Sequence, residues 1–261
     1  MIEVSDLRAG YGGREVLHSV GFTLADGENL AVLGPNGCGK TTLLRTLAGL
    51  LPFEGTIRLD GKPLSGMRPL ERAARVGLMS QTMQIPFDYT VREVVRMGRY
   101  RLQRRALLSG ETEADERAAE EAMRVTGLLP LADRRVTALS GGQQQRVFLS
   151  RVLAQEPAVI LLDEPTNHLD LRSQLEMLDY LKAYSETPGR QVVGVFHDLT
   201  LAPRLCGRAL FLEGGAVRGD GAFSKIATPA FLQMLYGVDV RAHLEEALAA
   251  LPRAQDAGIQ A

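Results

Sequence analysis

Gly34-Pro35-Asn36-Gly37-Cys38-Gly39-Lys40-Thr41-Thr42 fits the spacing G-x-x-x-x-G-K-[ST], a pattern whose chemistry is phosphate binding. Glycines at those places let the backbone curl until successive N–H groups point inward, and a helix starting there adds its positive dipole end. In such a loop Lys40 can reach β- and γ-phosphates while the Thr41 hydroxyl ligates Mg²⁺. The flanks suit it: Asn29 to Leu33 is short, mostly apolar and strand-like, and Thr42 to Leu50 has a helical pattern. A glycine turn before an ordinary helix is the plain alternative. Strand, glycine loop and helix in that order favour a nucleoside triphosphate as the ligand.

Two further stretches carry chemistry. Leu139-Ser140-Gly141-Gly142-Gln143 opens a helix running from Gln144 to Ala154, and taken alone it is a serine N-cap with a glycine turn. Just beyond it, Val159-Ile160-Leu161-Leu162 is an apolar run that ends in Asp163-Glu164. With the phosphate loop upstream, this set resembles the ATP-binding cassette family over nearly the whole chain, and Leu139 to Gln143 matches that family's signature motif.

The resemblance implies roles for individual residues. Asp163 would hold Mg²⁺, through water, together with Thr41, and Glu164 would be the general base that polarises the attacking water. His197, in Phe196-His197-Asp198, matches the family's switch histidine at the γ-phosphate, and Gln81 its glutamine-loop residue near Mg²⁺ and water. Tyr11 stands where an aromatic ring meets adenine, and Asp170, in Asn167-His168-Leu169-Asp170, where a loop crosses a dimer interface. Ser140, Gly141, Gly142 and Gln143 of one subunit would complete the ATP site of the other, so the expected partner is a second ATPase subunit, most simply an identical one. ATP and Mg²⁺ are the expected cofactors, and ATP hydrolysis the expected activity.

The resemblance extends to the kind of system served. Thr90 to Tyr100 is similar to the segment that receives the coupling helix of a transmembrane permease in importers of siderophores, haem and cobalamin. Gln143 to Leu149 and Val95 to Tyr100 also resemble zinc and manganese importers. A soluble cassette acting on ribosomes or DNA is a third reading; such proteins usually carry two cassettes or a long coiled-coil insertion, and neither is seen. A substrate-binding protein would be an indirect partner, nucleic acid none, and the place of work the cytoplasmic face of the membrane. Arg92, Arg96, Arg99, Arg101, Arg104 and Arg105 form a basic run. It reads either as a docking surface for a membrane subunit or lipid head groups, or as a solvated face balanced by the acids of Glu111 to Glu121.

These residues need a scaffold. Ile2 to Leu7 and Val16 to Leu24 read as strands around a turn at Gly10 to Gly13, and Gly55 to Leu59 and Val76 to Met79 are again strand-like. From about Gln81 to Leu139 the pattern is helical: Val91, Val94 and Val95 share a face, as do Ala118, Ala122, Met123 and Val125 of a helix over Ser109 to Thr126. Strands then alternate with helices: Val159 to Leu162, Leu171 to Tyr184, Gln191 to Phe196, Leu199 to Cys206, Ala209 to Leu212. The expected fold is α/β: a P-loop NTPase with a mainly parallel sheet flanked by helices, an N-terminal antiparallel β subdomain and an inserted helical subdomain at about 82–140. The ATPase domain would span 1–240, followed by a helical appendage and tail at 241–261.

Bulk properties are compatible with this. A chain of 261 residues, 45% hydrophobic, has enough apolar material for one large domain. Its net charge of −1 offers no general attraction to nucleic acid or anionic lipid. Two cysteines, Cys38 and Cys206, make no disulfide framework, and a bridge at Cys38 would obstruct the loop, so a reducing compartment is expected. With Met1 to Val4 already strand-like no leader is expected, and no apolar run approaches a membrane-spanning length.

Overall fold

Leu30–Leu33 (β3) is buried at every position, which only a strand covered on both faces requires. In the computed structural model, which describes residues 1–80, 88–100, 112–167 and 169–250, it lies inside a six-stranded sheet. The order is β10-β9-β3-β8-β7-β6, with β6 Val76–Met79, β7 Val159–Asp163, β8 Gln191–Val195, β9 Arg208–Glu213 and β10 Ala216–Ala222. All neighbours are parallel except β10, which returns antiparallel along β9. Side chains alternate between two cores, as strand geometry dictates. Ala31, Leu33, Ile160, Leu162 and Val192 join one cluster, while Leu30, Val32, Val159, Leu161 and Val193 join the other.

The second cluster is roofed by a four-stranded antiparallel sheet, order β2-β1-β4-β5, from β1 Ile2–Tyr11, β2 Arg14–Leu24, β4 Phe53–Leu59 and β5 Lys62–Pro63. The β1–β2 hairpin turns on Gly12 and Gly13, both at positive φ (56° and 82°), a conformation glycine adopts freely. The turn is therefore tighter than expected, and Tyr11 ends a strand rather than lying in a loop.

α1 Lys40–Leu47 buries Leu43, Leu44 and Leu47 in the second cluster and α2 Pro69–Arg75 lies beside β6, while the first cluster is covered by α3 Val91–Arg96, α4 Glu113–Val125, α5 Gly141–Ala154, α6 Leu171–Ser185, α7 Pro229–Tyr236 and α8 Val240–Ala249. Several start on a side-chain cap, Thr90 for α3, Thr112 for α4, Ser140 for α5 and Asp170 for α6, each accepting a backbone N–H of the first turn. Val91, Val94 and Val95 are buried together as the pattern predicts. In α4 the buried set is Ala119, Ala122 and Met123; Val125 is 36% exposed, so the apolar face is rotated from the expected one. Its fourth buried side chain is charged: Asp115 pairs with the buried Arg99 across to α3's end.

Other boundaries differ too. The first helix begins at Lys40, directly after Gly39 at φ 104°, and the helix expected over Leu199 to Cys206 contracts to Ala202–Leu205. The described chain ends in two helices, α7 and α8, separated where Gly237 ends α7 at φ 73°, and α8 takes in the start of the expected appendage. Strands β5 and β10 and helix α2 have no counterpart in the sequence pattern. Gln81, His168, Arg101, Arg104, Arg105 and the tail 251–261 lie outside the described residues. Among the described residues no helix is long and apolar enough to cross a membrane.

Candidate nucleotide site

In an open α/β sheet, ligands gather beyond the carboxyl ends of the strands. The carboxyl ends of β3, β7 and β8 carry the phosphate loop, Asp163-Glu164 and His197 respectively. The loop turns through Gly34 (φ 142°), Gly37 (77°) and Gly39 (104°). Gly34 admits no side chain: a Cβ there would stand 2.1 Å from the Leu212 carbonyl oxygen and 2.9 Å from Cys38 Sγ. Cys38 is buried within the turn, and burial pushes its thiol above the ordinary range. Pro35 and Asn36 complete the loop. Thr42 is buried behind it, its carbonyl accepting from the Thr46 hydroxyl.

Lys40 is 6% exposed, and its ammonium is not left unpaired: Nζ donates to the carbonyls of Gly34 (2.7 Å) and Pro35 (2.9 Å). These bonds keep it on the inner rim of the loop, where a phosphate chain would lie. Thr41 Oγ1 donates to Asp163 Oδ1 at 3.0 Å. Asp163 is 5% exposed, and its carboxyl is pushed above the usual range. Burial is the main cause, the Thr41 hydrogen bond works against it, and the charge of Glu164 adds to it.

Glu164 follows at φ 55°, a left-handed conformation that turns its carboxylate out of the strand line. The turn is held by Glu164 N–H to the Val195 carbonyl (3.2 Å). One carboxylate oxygen meets His197 Nε2 and the other accepts from Asn167 Nδ2. So Asp163, Glu164 and His197 come together with Thr41 and Lys40, as expected. Asn167 is an addition: it opens the loop that ends at Asp170, but nothing in the sequence said that its amide would grip the Glu164 carboxylate.

Tyr11 is 43% exposed on the hairpin above the loop, and its hydroxyl accepts from Arg45 Nη1 on α1 (3.4 Å). An exposed ring beside a phosphate loop can stack on a base. Ser140 to Gln143 sit elsewhere. Ser140 and Gln143 form a reciprocal capping box, Ser140 N–H to Gln143 Oε1 (3.0 Å) and Gln143 N–H to Ser140 Oγ (3.4 Å). Gly141 is exposed, with open space where a Cβ would be, so the N-terminus of α5 faces outward. Both capping bonds stay within the first turn of α5, and neither reaches the Lys40 loop of the same chain. Asp170 caps α6 through the Ser173 N–H (2.8 Å), and that bond holds its carboxylate below the usual range. Gln145 Nε2 donates to the Pro165 carbonyl (3.2 Å), tying α5 to the turn after Glu164.

Thr41 and Asp163 offer hard oxygen donors 3.0 Å apart, suited to a small divalent cation that keeps waters and phosphate oxygens as its other ligands. Among the described residues no cluster of three or more His, Cys, Asp or Glu side chains could hold a metal alone. Mg²⁺ held here with a nucleotide fits this donor set.

The described arginines of the basic run, Arg92, Arg96 and Arg99, are paired with acids. Arg92 pairs with Glu116 (2.7 Å), Glu120 and Asp133, and Arg96 with Glu116 (3.2 Å). Arg99, side chain 6% exposed, bonds Asp115, Glu156 and the Ala154 carbonyl. The acids of α4 balance Arg92 and Arg96, as one of the two readings has it, while Arg99 is no surface residue at all.

The sequence profile of the ABC transporter family matches residues 17–167. The ferric enterobactin transport ATP-binding protein FepC of Escherichia coli (strain K12) is 40% identical over 89% of this chain and 85% of its own. The hemin import ATP-binding protein HmuV of Roseobacter denitrificans is 39% identical, covering 92% of each. An ABC transporter ATP-binding protein of Bacillus subtilis, YvrA, is 39% identical over 92% of this chain, which spans 54% of that longer protein. Among solved structures, an ABC transporter of metal-chelate type in an inward-facing conformation has a TM-score of 0.77 at 30% identity, covering 91% of this chain and 89% of that one. A dimeric bacterial ABC transporter cassette follows at 0.75 and 29%, covering 85% and 99%. The chain belongs to the ABC transporter family, as its ATP-binding and ATP-hydrolysing subunit.

Proposed function

We propose that this ATPase powers a membrane importer of metal chelates, whether ferric siderophore, haem or cobalamin, as a dimer on the cytoplasmic face of two permease subunits. The observation that carries the chemistry is the grip on Glu164 by His197 and Asn167, beside an Asp163–Thr41 pair and a buried Lys40. A carboxylate so oriented accepts a proton from water attacking the γ-phosphate in line, while Lys40 stabilises charge developing on the phosphate oxygens. Mg²⁺ at Thr41 and Asp163 would neutralise further charge. Ser140 and Gly141, at an outward-facing helix N-terminus, would meet the γ-phosphate held by the other subunit. Closure on ATP and opening after hydrolysis would be the mechanical output.

The metal-chelate reading rests on what the similar proteins are said to carry and on the resemblance of Thr90 to Tyr100. The test is co-expression with candidate permeases, reconstitution in liposomes and ATPase assay with cargo-loaded binding proteins. Stimulation by a ferric siderophore, haem or cobalamin carrier supports the reading and names the cargo. Stimulation by zinc or manganese carriers alone replaces it. Stimulation by ribosomes or DNA without any permease ends the transport reading and leaves the nucleotide chemistry standing.

A further inference from the structure

We propose that Gln145, in the second turn of α5, is a positioning residue for Glu164, so that the helix opening at Ser140 and Gly141 also sets the turn that aims the carboxylate. This rests on the reading of Glu164 as general base and adds a residue of the signature helix to the same chain's own site. The turn Glu164-Pro165-Thr166-Asn167 is costly to form. Glu164 holds φ 55° without being glycine, a conformation that persists only where its surroundings over-determine it. Pro165 follows with no N–H, so its carbonyl is the only backbone polar group by which that residue can be held. Pro165 and Thr166 are both buried, and a buried carbonyl needs a donor.

The carbonyls of the turn are taken one after another. That of Glu164 accepts from the Asn167 N–H (3.3 Å), while the Glu164 N–H donates to the Val195 carbonyl (3.2 Å). The next two go to glutamines on separate helices: Gln145 Nε2 of α5 donates to Pro165 (3.2 Å) and Gln174 Nε2 of α6 to Thr166 (3.1 Å). The two helices are themselves in contact, since a Cβ on Gly142 would stand 3.1 Å from Ser173 Oγ. Of the three donors, Asn167 lies inside the turn and Gln174 on the helix that continues from it. Gln145 comes from a helix 20 residues earlier, and the carbonyl it holds is the one directly after Glu164. A shift of α5 therefore pulls on that carbonyl, and with it on the left-handed residue whose carboxylate His197 and Asn167 hold.

A glutamine that only satisfies a buried carbonyl and one that aims Glu164 differ in what their loss does to turnover. Gln145→Met keeps the length of the side chain and removes the donor. Full-length wild type, Q145M, E164Q and the double variant are compared in Mg-ATP, at a temperature that melting curves show to be well below unfolding for all four. Affinity is read with a fluorescent ATP analogue, and hydrolysis as a single turnover of γ-labelled ATP with protein in excess. Loss of one hydrogen bond of ordinary net strength predicts a rate about threefold to tenfold lower in Q145M, with affinity within about twofold of wild type. In the E164Q background the same substitution should leave the slow residual rate unchanged, because the route runs through that carboxylate. Wild-type turnover in Q145M overturns the proposal. So does an equal fractional loss in both backgrounds, which a merely structural contact would give, or a loss of affinity that accounts for the slower rate. Turnover of E164Q near wild type would instead refute the reading of Glu164 as the base, a failure distinct from that of Gln145.

Discussion

His197 Nε2 and Glu164 Oε1 are hydrogen-bonded across the ends of two neighbouring strands, while Asn167 Nδ2 holds the other oxygen of the same carboxylate. Asp163 pairs with Val195 in the ladder, so Glu164 and His197 stand just past the last paired residues. The Glu164 carboxylate is oriented by groups on two loops, one following β7 and one following β8. A group so held keeps the geometry that proton abstraction demands, and its reactivity then depends on being a carboxylate.

Glu164→Gln should therefore cut ATP turnover by about 10²- to 10⁴-fold, the usual contribution of a positioned general base. The amide keeps the shape, and its oxygen still accepts from Asn167, so nucleotide binding should survive and an ATP-bound dimer should accumulate. Steady-state hydrolysis together with size-exclusion chromatography in Mg-ATP checks this. Turnover near wild type would remove Glu164 as the base.

Tyr11 offers its ring beside the loop with its hydroxyl tied to Arg45. Stacking on a nucleobase contributes about 1–3 kcal/mol, so Tyr11→Ala should weaken ATP binding about fivefold or more. Tyr11→Phe keeps the π-face and should bind nearly as wild type. Because every base has such a face, GTP should lose affinity in the alanine variant by a similar factor. Titration of both variants with both nucleotides decides whether the ring stacks.

Much of this site is legible in the chain alone, and what escapes has a common cause. The phosphate loop, Asp163-Glu164 and His197 each sit at a strand end within a short, patterned stretch; spacing finds the loop, and the family resemblance finds the other three. Asn167 as a clamp and Arg45 at Tyr11 are contacts around a left-handed turn or between segments far apart in sequence, where periodicity carries no signal. Arg99 is instructive. Its neighbours are basic and its helix is short, so it reads as surface, yet the fold buries it against Asp115 and the end of α5. Strand β10 escapes because Ala216–Ala222 includes two glycines and two charged side chains and only partly buries any residue. Its pairing with β9, and not an apolar run, makes it a strand.

The Arg99–Asp115 pair should be costly to break. Both side chains are nearly inaccessible, 6% and 7% exposed, and removing one partner strands the other. Arg99→Ala should destabilise the chain by about 3–5 kcal/mol. The pair also predicts a pH signature. Burial alone would raise the Asp115 carboxyl, but the hydrogen bonds from Arg99 and Thr112 outweigh it and hold the pKa below the ordinary 3.8. The unfolded chain then binds the proton more readily, so the stabilisation is full above about pH 4 and is lost as pH falls through the lower folded value. The stability gap between wild type and Asp115→Asn should be wide at pH 7 and should narrow below pH 4 in denaturant titrations. A gap independent of pH would show that the ion pair is not its source.

Asp163 has the opposite sign. Its folded pKa is raised above 3.8, first by burial and also by the neighbouring Glu164 charge, with the Thr41 hydrogen bond opposing them. The unfolded chain ionises at lower pH, so the folded chain loses stability as pH rises from about 4 through the folded value. At pH 7 the charge is therefore held at a cost to the fold. Asp163→Asn removes that charge and keeps an oxygen to accept from Thr41. Without nucleotide it should melt about 2–4 °C above wild type at pH 7, and the gain should fade toward pH 4. Mg-ATP should reverse the order. Wild type gains stability from a bound ligand, whereas the variant has lost the charge that suits a divalent cation and gains less. Melting curves from pH 4 to 8, with and without Mg-ATP, read both effects. A variant that melts below wild type at pH 7 without nucleotide would show that the Asp163 carboxylate supports the fold, and the site would then be stable for its own sake and not strained for its ligand.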